Sequence, residues 1–328
     1  MAPLGSDADE RFLQSLYERP TKRKAPLDPA FITQAADAMR ATGRLPVDVD
    51  AEQFVRDMFS PEKDFRGPKI AMLREAAAPC LTAAERWLLD VPIGFLHTEE
   101  LNGCAVLAPS GGKVLLIDMG VLLHMTLLGR SIMALTSWGA PEPFCHDHPP
   151  VAWFTTIILL AHHASSLDDR HLERITTWNC PTLGEWDRTS AKFAMSVELF
   201  VLLHEYGHVA LDHLDRHRVV ARDDLQVFAT NHRQELEADL FGYRHHAQGT
   251  NAGAAAIAAS TFFRFADVIE HVLHGAPRAT RTHPSGRERL QHLKDSEPLA
   301  GKAAEAVAQV ERVFDKVIEV LPEFRSAR

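Results

Sequence analysis

His204, Glu205 and His208 stand as His-Glu-x-x-His inside the run Leu199-Phe200-Val201-Leu202-Leu203-His204-Glu205-Tyr206-Gly207-His208-Val209-Ala210-Leu211. On a helix, residues four apart leave the same face about one turn apart. Two neutral imidazoles at that spacing can grip one Zn²⁺. Glu205, beside the first of them, is placed to take a proton from a water that such a metal activates. The chain holds 18 His, so five letters alone are weak ground. The setting strengthens them. Val197, Leu199, Phe200, Val201, Leu202, Leu203, Val209, Ala210 and Leu211 make the helix apolar on nearly all sides, which predicts burial. Two His and one Glu are costly there unless something satisfies them, and a metal would.

A working site needs a third protein ligand and an open position. The segment Asn231-His232-Arg233-Gln234-Glu235-Leu236-Glu237-Ala238-Asp239-Leu240-Phe241-Gly242 reads as a second helix. Glu235 and Asp239 share one face. Glu235 is the expected ligand. Asp239, one turn on, would accept the second ring N–H of a ligand His and fix its orientation. Glu237 points elsewhere and is expected to be solvated. His213, His217 and His232 are alternative ligands. On a continuing helix His213 is rotated off the ligand face and reads as a surface or helix-end residue.

The elements that must position these groups follow. The first helix is expected from about Ala191 to Leu214, capped by Thr189 or Ser190. Ahead of it, two β-prone runs, Asn102 to Pro109 and Lys113 to Gly120, flank Ser110-Gly111-Gly112, a hairpin signal. That hairpin would offer an edge strand beside the cleft, where an extended peptide could add as a further strand. Helices are also expected over Lys69–Ala78 and Leu81–Leu89, the latter with Thr82 and Glu85 as a capping box. Val121 to Leu135 looks helical, and Val151 to Ala161 reads as a buried helix, too short to span a bilayer. Residues 1–75 form an N-terminal helical arm or subdomain, with Phe12, Leu13, Leu16 and Tyr17 as its apolar side. Residues 76–328 form the catalytic domain, with 124–195 as an inserted segment.

Bulk properties exclude several classes. The chain has 328 residues and a formal net charge of −9, which argues against a nucleic-acid surface. Lys22-Arg23-Lys24 is too short to change that. Cys80, Cys104, Cys145 and Cys180 are widely spaced, against a disulfide scaffold or zinc ribbon. Cys145-His146-Asp147-His148 has metal-binding composition, but adjacent residues converge poorly on one ion. His162, His163 and His171 read as structural or surface residues. No secretory signal and no membrane span is evident, so a cytoplasmic protein is expected.

Taken together, His204-Glu205-x-x-His208 and Glu235-x-x-Ala238-Asp239 resemble the gluzincin metallopeptidases of the HtpX and CAAX-prenyl-protease type. Thr282-His283-Pro284-Ser285-Gly286-Arg287-Glu288-Arg289-Leu290 is similar to that family's Thr-His-Pro-x-x-x-x-Arg segment, and the hairpin resembles the one ahead of its zinc helix. The resemblance covers about residues 100–123 and 195–295. It implies an α+β, mainly helical zincin-like core with a small hairpin or sheet beside the zinc helix. It also implies that His283 lies near the zinc, as an extra ligand or a donor to the tetrahedral intermediate, and that Arg289 anchors its segment by pairing with a carboxylate. The 27-residue gap from His208 to Glu235 also resembles the ImmA/IrrE-type regulatory proteases.

The function expected is zinc-dependent hydrolysis of peptide bonds in a peptide or protein substrate, with one Zn²⁺ on His204, His208 and Glu235 and Glu205 as general base. Two competitors keep the site and change its use. One is a zinc hydrolase or tailoring enzyme acting on a small-molecule amide. The other is a latent or regulatory metalloprotease-like binding protein.

Overall fold

The computed structural model describes residues 66–96, 103–118, 184–215, 219–222, 225–275 and 283–326, with a few isolated positions besides. The expectations for Lys22-Arg23-Lys24, Val151–Ala161, Cys145–His148, His162, His163, His171, His217 and almost all of the inserted segment lie outside these residues, as does most of the N-terminal arm.

The fold is α+β: mainly helical, with one mixed five-stranded sheet. Helix α1 (Arg66–Ala77) runs across the position where the sequence reading divides the chain. It stops ahead of Pro79, and a 3-10 turn follows over Ala78–Cys80. The α-helix expected over Leu81–Leu89 is instead a turn and a 3-10 helix, Arg86–Asp90. Thr82 Oγ1 does donate to Glu85 Oε2 at 2.5 Å. The backbone bonds beyond it close three residues apart, Leu88 N to Glu85 O at 2.8 Å and Val91 N to Leu88 O at 3.1 Å, and Pro92 leaves no room for more turns.

Strand β1 (Ile93–Leu96) pairs parallel to β3 (Lys113–Asp118), which pairs antiparallel to β2 (Gly103–Leu107). The β2–β3 turn closes through Gly111, at φ 81°, a left-handed conformation that glycine adopts without strain. Strands β4 (Val219–Arg222) and β5 (Leu225–Phe228) complete the order β1-β3-β2-β5-β4. The expected edge strand is therefore an interior one: β2 joins β5, through the single pair Val106↔Val227. A period of two sorts the side chains. Leu115 and Ile117 enter the main core, while Val114 and Leu116 join a smaller cluster on the other face with Phe12 and Leu13 against it.

Helix α2 (Gly184–Ala210) starts earlier and ends sooner than its sequence suggests. Phe200, Val201, Leu202 and Leu203 are all buried, as an all-round apolar helix requires. Lys69 of α1 reaches the buried Glu198 of α2 at 2.5 Å. Helix α3 (His232–Gly249) opens on a capping box between Asn231 and Gln234. It lies almost on the backbone of α2: a Cβ on Gly242 would sit 3.0 Å from His204 N. A side chain there would press on the His204 backbone, so glycine suits so close an approach of the two helices.

Helix α4 (Ala252–His274) contacts α2, α3, α5 (Gly286–Ser296) and α6 (Gly301–Ser326). Its stretch Ala252–His271 is the one segment among the described residues long and apolar enough to cross a membrane, and 67% of it is buried in this fold. Phe263 on α4 meets Phe200 on α2 edge to face at 5.5 Å. Helix α5 starts with a second capping box, Ser285 with Glu288, which fixes the direction of the chain leaving Pro284.

Candidate metal centre

The crossing of α2 and α3 brings three donor atoms together. His204 Nε2 and His208 Nε2 are 3.1 Å apart. Glu235 Oε2 lies 3.5 Å from the first and Glu235 Oε1 3.4 Å from the second. A zinc ion with bonds of about 2.0–2.1 Å in tetrahedral geometry spaces its ligand atoms about 3.3 Å apart. The three residues are buried, and they form the one such group of potential metal ligands among the described residues.

Charge makes the same case. Glu205, Glu235 and Asp239 are 3%, 2% and 1% exposed and face one buried guanidinium, Arg289. That arrangement leaves buried negative charge in excess, which is what a divalent cation offsets. Protons show the same imbalance. Burial would lower His204, yet its hydrogen bonds to Asp239 and Glu235 outweigh that and raise it to about 9. Burial raises Glu205 to about 7, with Glu235 adding to it. His208 is lowered to about 3 by burial and by the charge on His204. Glu235 is held well below the usual carboxylate range: burial opposes this, and the hydrogen bond with His204 prevails.

Each of the three candidate ligands has its own support. Asp239 Oδ1 lies 2.9 Å from His204 Nδ1. Arg289 in turn donates to Asp239, Nε to Oδ2 at 2.8 Å and a terminal N–H to Oδ1 at 2.5 Å. The guanidinium also lies over the Phe263 ring, 4.8 Å from its centre. Thr230 Oγ1 donates to Glu235 Oε1 at 2.6 Å. His208 Nδ1 is 3.1 Å from His213 Nδ1.

His213 corrects the sequence reading. It is 5% exposed, not a surface residue, and its Nε2 lies 3.0 Å from Glu237 Oε2. Glu237 is accordingly half-buried and paired, not simply solvated. Helix α2 does not continue to Leu214, so helical rotation past Ala210 does not set the direction of His213. The helix ends in a Schellman turn: His213 N donates to His208 O at 3.0 Å, Asp212 N reaches Val209 O at 3.4 Å, and Asp212 takes φ 54°. That turn folds His213 back against His208. No Gly or Asn marks it, so the sequence carried little warning. Thr230 was missed for a similar reason: it precedes the Asn231 cap and belongs to no periodic pattern.

Glu205 and His283 line the same pocket as the three donors, with Gly103, Cys104 and Phe262. His283 Nε2 is 3.7 Å from Glu235 Oε2, its side chain 38% exposed. Gly103, at the start of β2, covers Glu205: a Cβ there would meet Glu205 Oε1 at 2.6 Å. His232, an alternative ligand by sequence, is exposed at the start of α3.

A buried His-His-Glu donor set on two crossing helices, with a further carboxylate and a histidine in its pocket, defines a site compatible with a catalytic zinc centre. A sequence model of the family Peptidase U49 matches residues 187–309. The match spans well under half of the chain but takes in His204, Glu205, His208, Glu235, Asp239, His283 and Arg289, and it indicates a peptidase family. No curated protein and no solved structure matches the chain.

Proposed function

We propose that the protein is a soluble, cytoplasmic, zinc-dependent peptidase of the gluzincin kind, holding one Zn²⁺ on His204, His208 and Glu235. The observation that carries this reading is the mutual spacing of the three donor atoms, 3.1, 3.4 and 3.5 Å, within the region similar to a peptidase family. Asp239, Arg289 and His283 fall around those atoms as expected for the HtpX and CAAX-prenyl-protease type, which supports that branch of the resemblance. We read helix α4 as a core helix, given its contacts with four other helices.

Held on His204, His208 and Glu235, a zinc ion would supply a Lewis acid for the scissile carbonyl and would lower the pKa of a water toward neutral. Glu205 lines the same pocket, placed to accept a proton from an attacking water and pass it to the leaving amine. His283 presents its ring at the pocket and steadies the developing oxyanion. Arg289 neutralises Asp239, so that Asp239 can hold the His204 ring without adding net charge to the site. Gly103, Cys104 and Ala105 of β2 border the pocket and form one wall of the cleft.

The test is the metal content of purified full-length protein. About one zinc per chain is expected, falling to near zero in His208→Ala. A wild-type chain that binds no divalent metal would end the proposal. A latent enzyme is the second reading, favoured by the 3.7 Å approach of His283 Nε2 to Glu235. His283→Ala lowers activity if His283 serves the oxyanion and raises it if His283 shuts the site.

A further inference from the structure

The two histidine ligands are supported unequally. His204 rests on a fully buried carboxylate, Asp239, which Arg289 neutralises. His208 rests on another imidazole. Its Nδ1 is 3.1 Å from His213 Nδ1, and His213 Nε2 is 3.0 Å from Glu237 Oε2. We propose that His213 is a positioning residue for the metal site: its Nδ1 lone pair accepts the Nδ1–H of His208, and Glu237 holds His213 in the tautomer that makes this possible. The inference rests on the zinc reading above and adds a residue to it.

The hydrogen placement leaves no free choice. A metal on His208 Nε2 needs the lone pair there, so the ring hydrogen of His208 is on Nδ1. The facing His213 Nδ1 must then be the acceptor, and His213 carries its own hydrogen on Nε2. That hydrogen points at a carboxylate oxygen, which can only accept when ionised. The chain from metal to Glu237 is consistent at every atom. Reverse any tautomer and one contact becomes donor against donor or acceptor against acceptor.

Local structure delivers His213 to this place and keeps it there. The Schellman turn through Asp212 returns the chain to His208, with Leu211 N donating to Gly207 O at 2.9 Å and His213 N to His208 O at 3.0 Å. Gln234 Nε2 then donates to His213 O at 3.3 Å, tying the turn to α3 beside Glu235. The chain ends differently on the two sides. Asp239 is sealed inside, whereas the Glu237 side chain is 42% exposed, so water replaces part of its contribution when it is removed.

The alternative is that His213 merely fills space, and metal affinity separates the two. Zinc affinity of the full-length chain is measured by competition with a chromogenic chelator, alongside thermal unfolding of each zinc-free protein. His213→Leu keeps an apolar bulk but offers no acceptor, and weakens zinc by about 10–100-fold. His213→Asn carries an oxygen where His213 has Nδ1, so it still accepts from His208 and stays within about threefold of wild type. Glu237→Gln, whose amide oxygen still accepts, has the smallest effect. The inference is overturned if His213→Leu binds zinc as tightly as wild type, or if His213→Asn loses as much as His213→Leu. Should wild type itself bind no zinc, the zinc reading fails and this inference falls with it, an outcome distinct from either of those.

Discussion

Arg289 grips both carboxylate oxygens of Asp239, at 2.8 and 2.5 Å, and Asp239 Oδ1 lies 2.9 Å from His204 Nδ1. Fixed-geometry pairing of this kind is what a guanidinium offers and an ammonium does not. It ties α5 to α3 and, through α3, to the first ligand on α2. Burial works against the Asp239 charge, but Arg289 beside it prevails and keeps the carboxyl below its ordinary range, able to accept from His204.

Asp239→Asn should therefore lower zinc affinity by about 10–100-fold, because an amide holds the His204 ring hydrogen less strongly and leaves Arg289 uncompensated. Chelator competition on the purified variant measures this. Unchanged affinity would remove Asp239 from the account of the site.

Gly103→Ala tests the proposed role of Glu205 apart from that of the three donor residues. The added methyl would sit 2.6 Å from Glu205 Oε1, closer than a real contact allows, and the three atoms nearest to it all belong to Glu205. Glu205 must turn aside. Turnover should fall about 10²-fold, the usual effect of displacing a catalytic group by an ångström, with zinc content intact. Activity assays and metal analysis on the same preparation decide it.

His246 gives a pH signature far from the centre. It is 0% exposed, its Nε2 lies 3.2 Å from Ser196 Oγ, and burial lowers it from 6.5 to about 4. The folded chain thus resists a proton that the unfolded chain accepts. Its contribution to stability is intact above about pH 6.5 and is lost as pH falls toward 4. Melting temperatures of wild type and His246→Leu, both with chelator, should diverge over that window, with wild type falling more steeply as pH is lowered. Parallel curves would contradict this.

The legible parts of this site are those written in local periodicity. His204 with His208, and Glu235 with Asp239, are each one helical turn apart, so spacing alone aligns them. The β2–β3 hairpin announced itself through Gly111-Gly112 between β-prone runs. What stayed hidden depended on where elements end and cross. His213 does stand at a helix end, as expected, but its burial was hidden because the turn at Asp212 uses a non-glycine residue in a left-handed conformation. The interior position of β2 depends on pairing with β5, more than a hundred residues later in the chain. Helices α4 and α6 lay outside the motifs that drew the sequence reading, although Asn251 and Gly275 mark both ends of α4. The close approach of Gly242 to His204 is a helix-crossing property that no window of sequence contains.

The central claim is that Glu205 moves the proton in a zinc-dependent cleavage of peptide bonds. The direct test is cleavage of a peptide library by zinc-loaded full-length wild type and Glu205→Gln, with metal content measured on both. At equal zinc content, the wild type should cleave and Glu205→Gln should be slower by about 10²–10⁴-fold. Equal cleavage by the two would contradict the account.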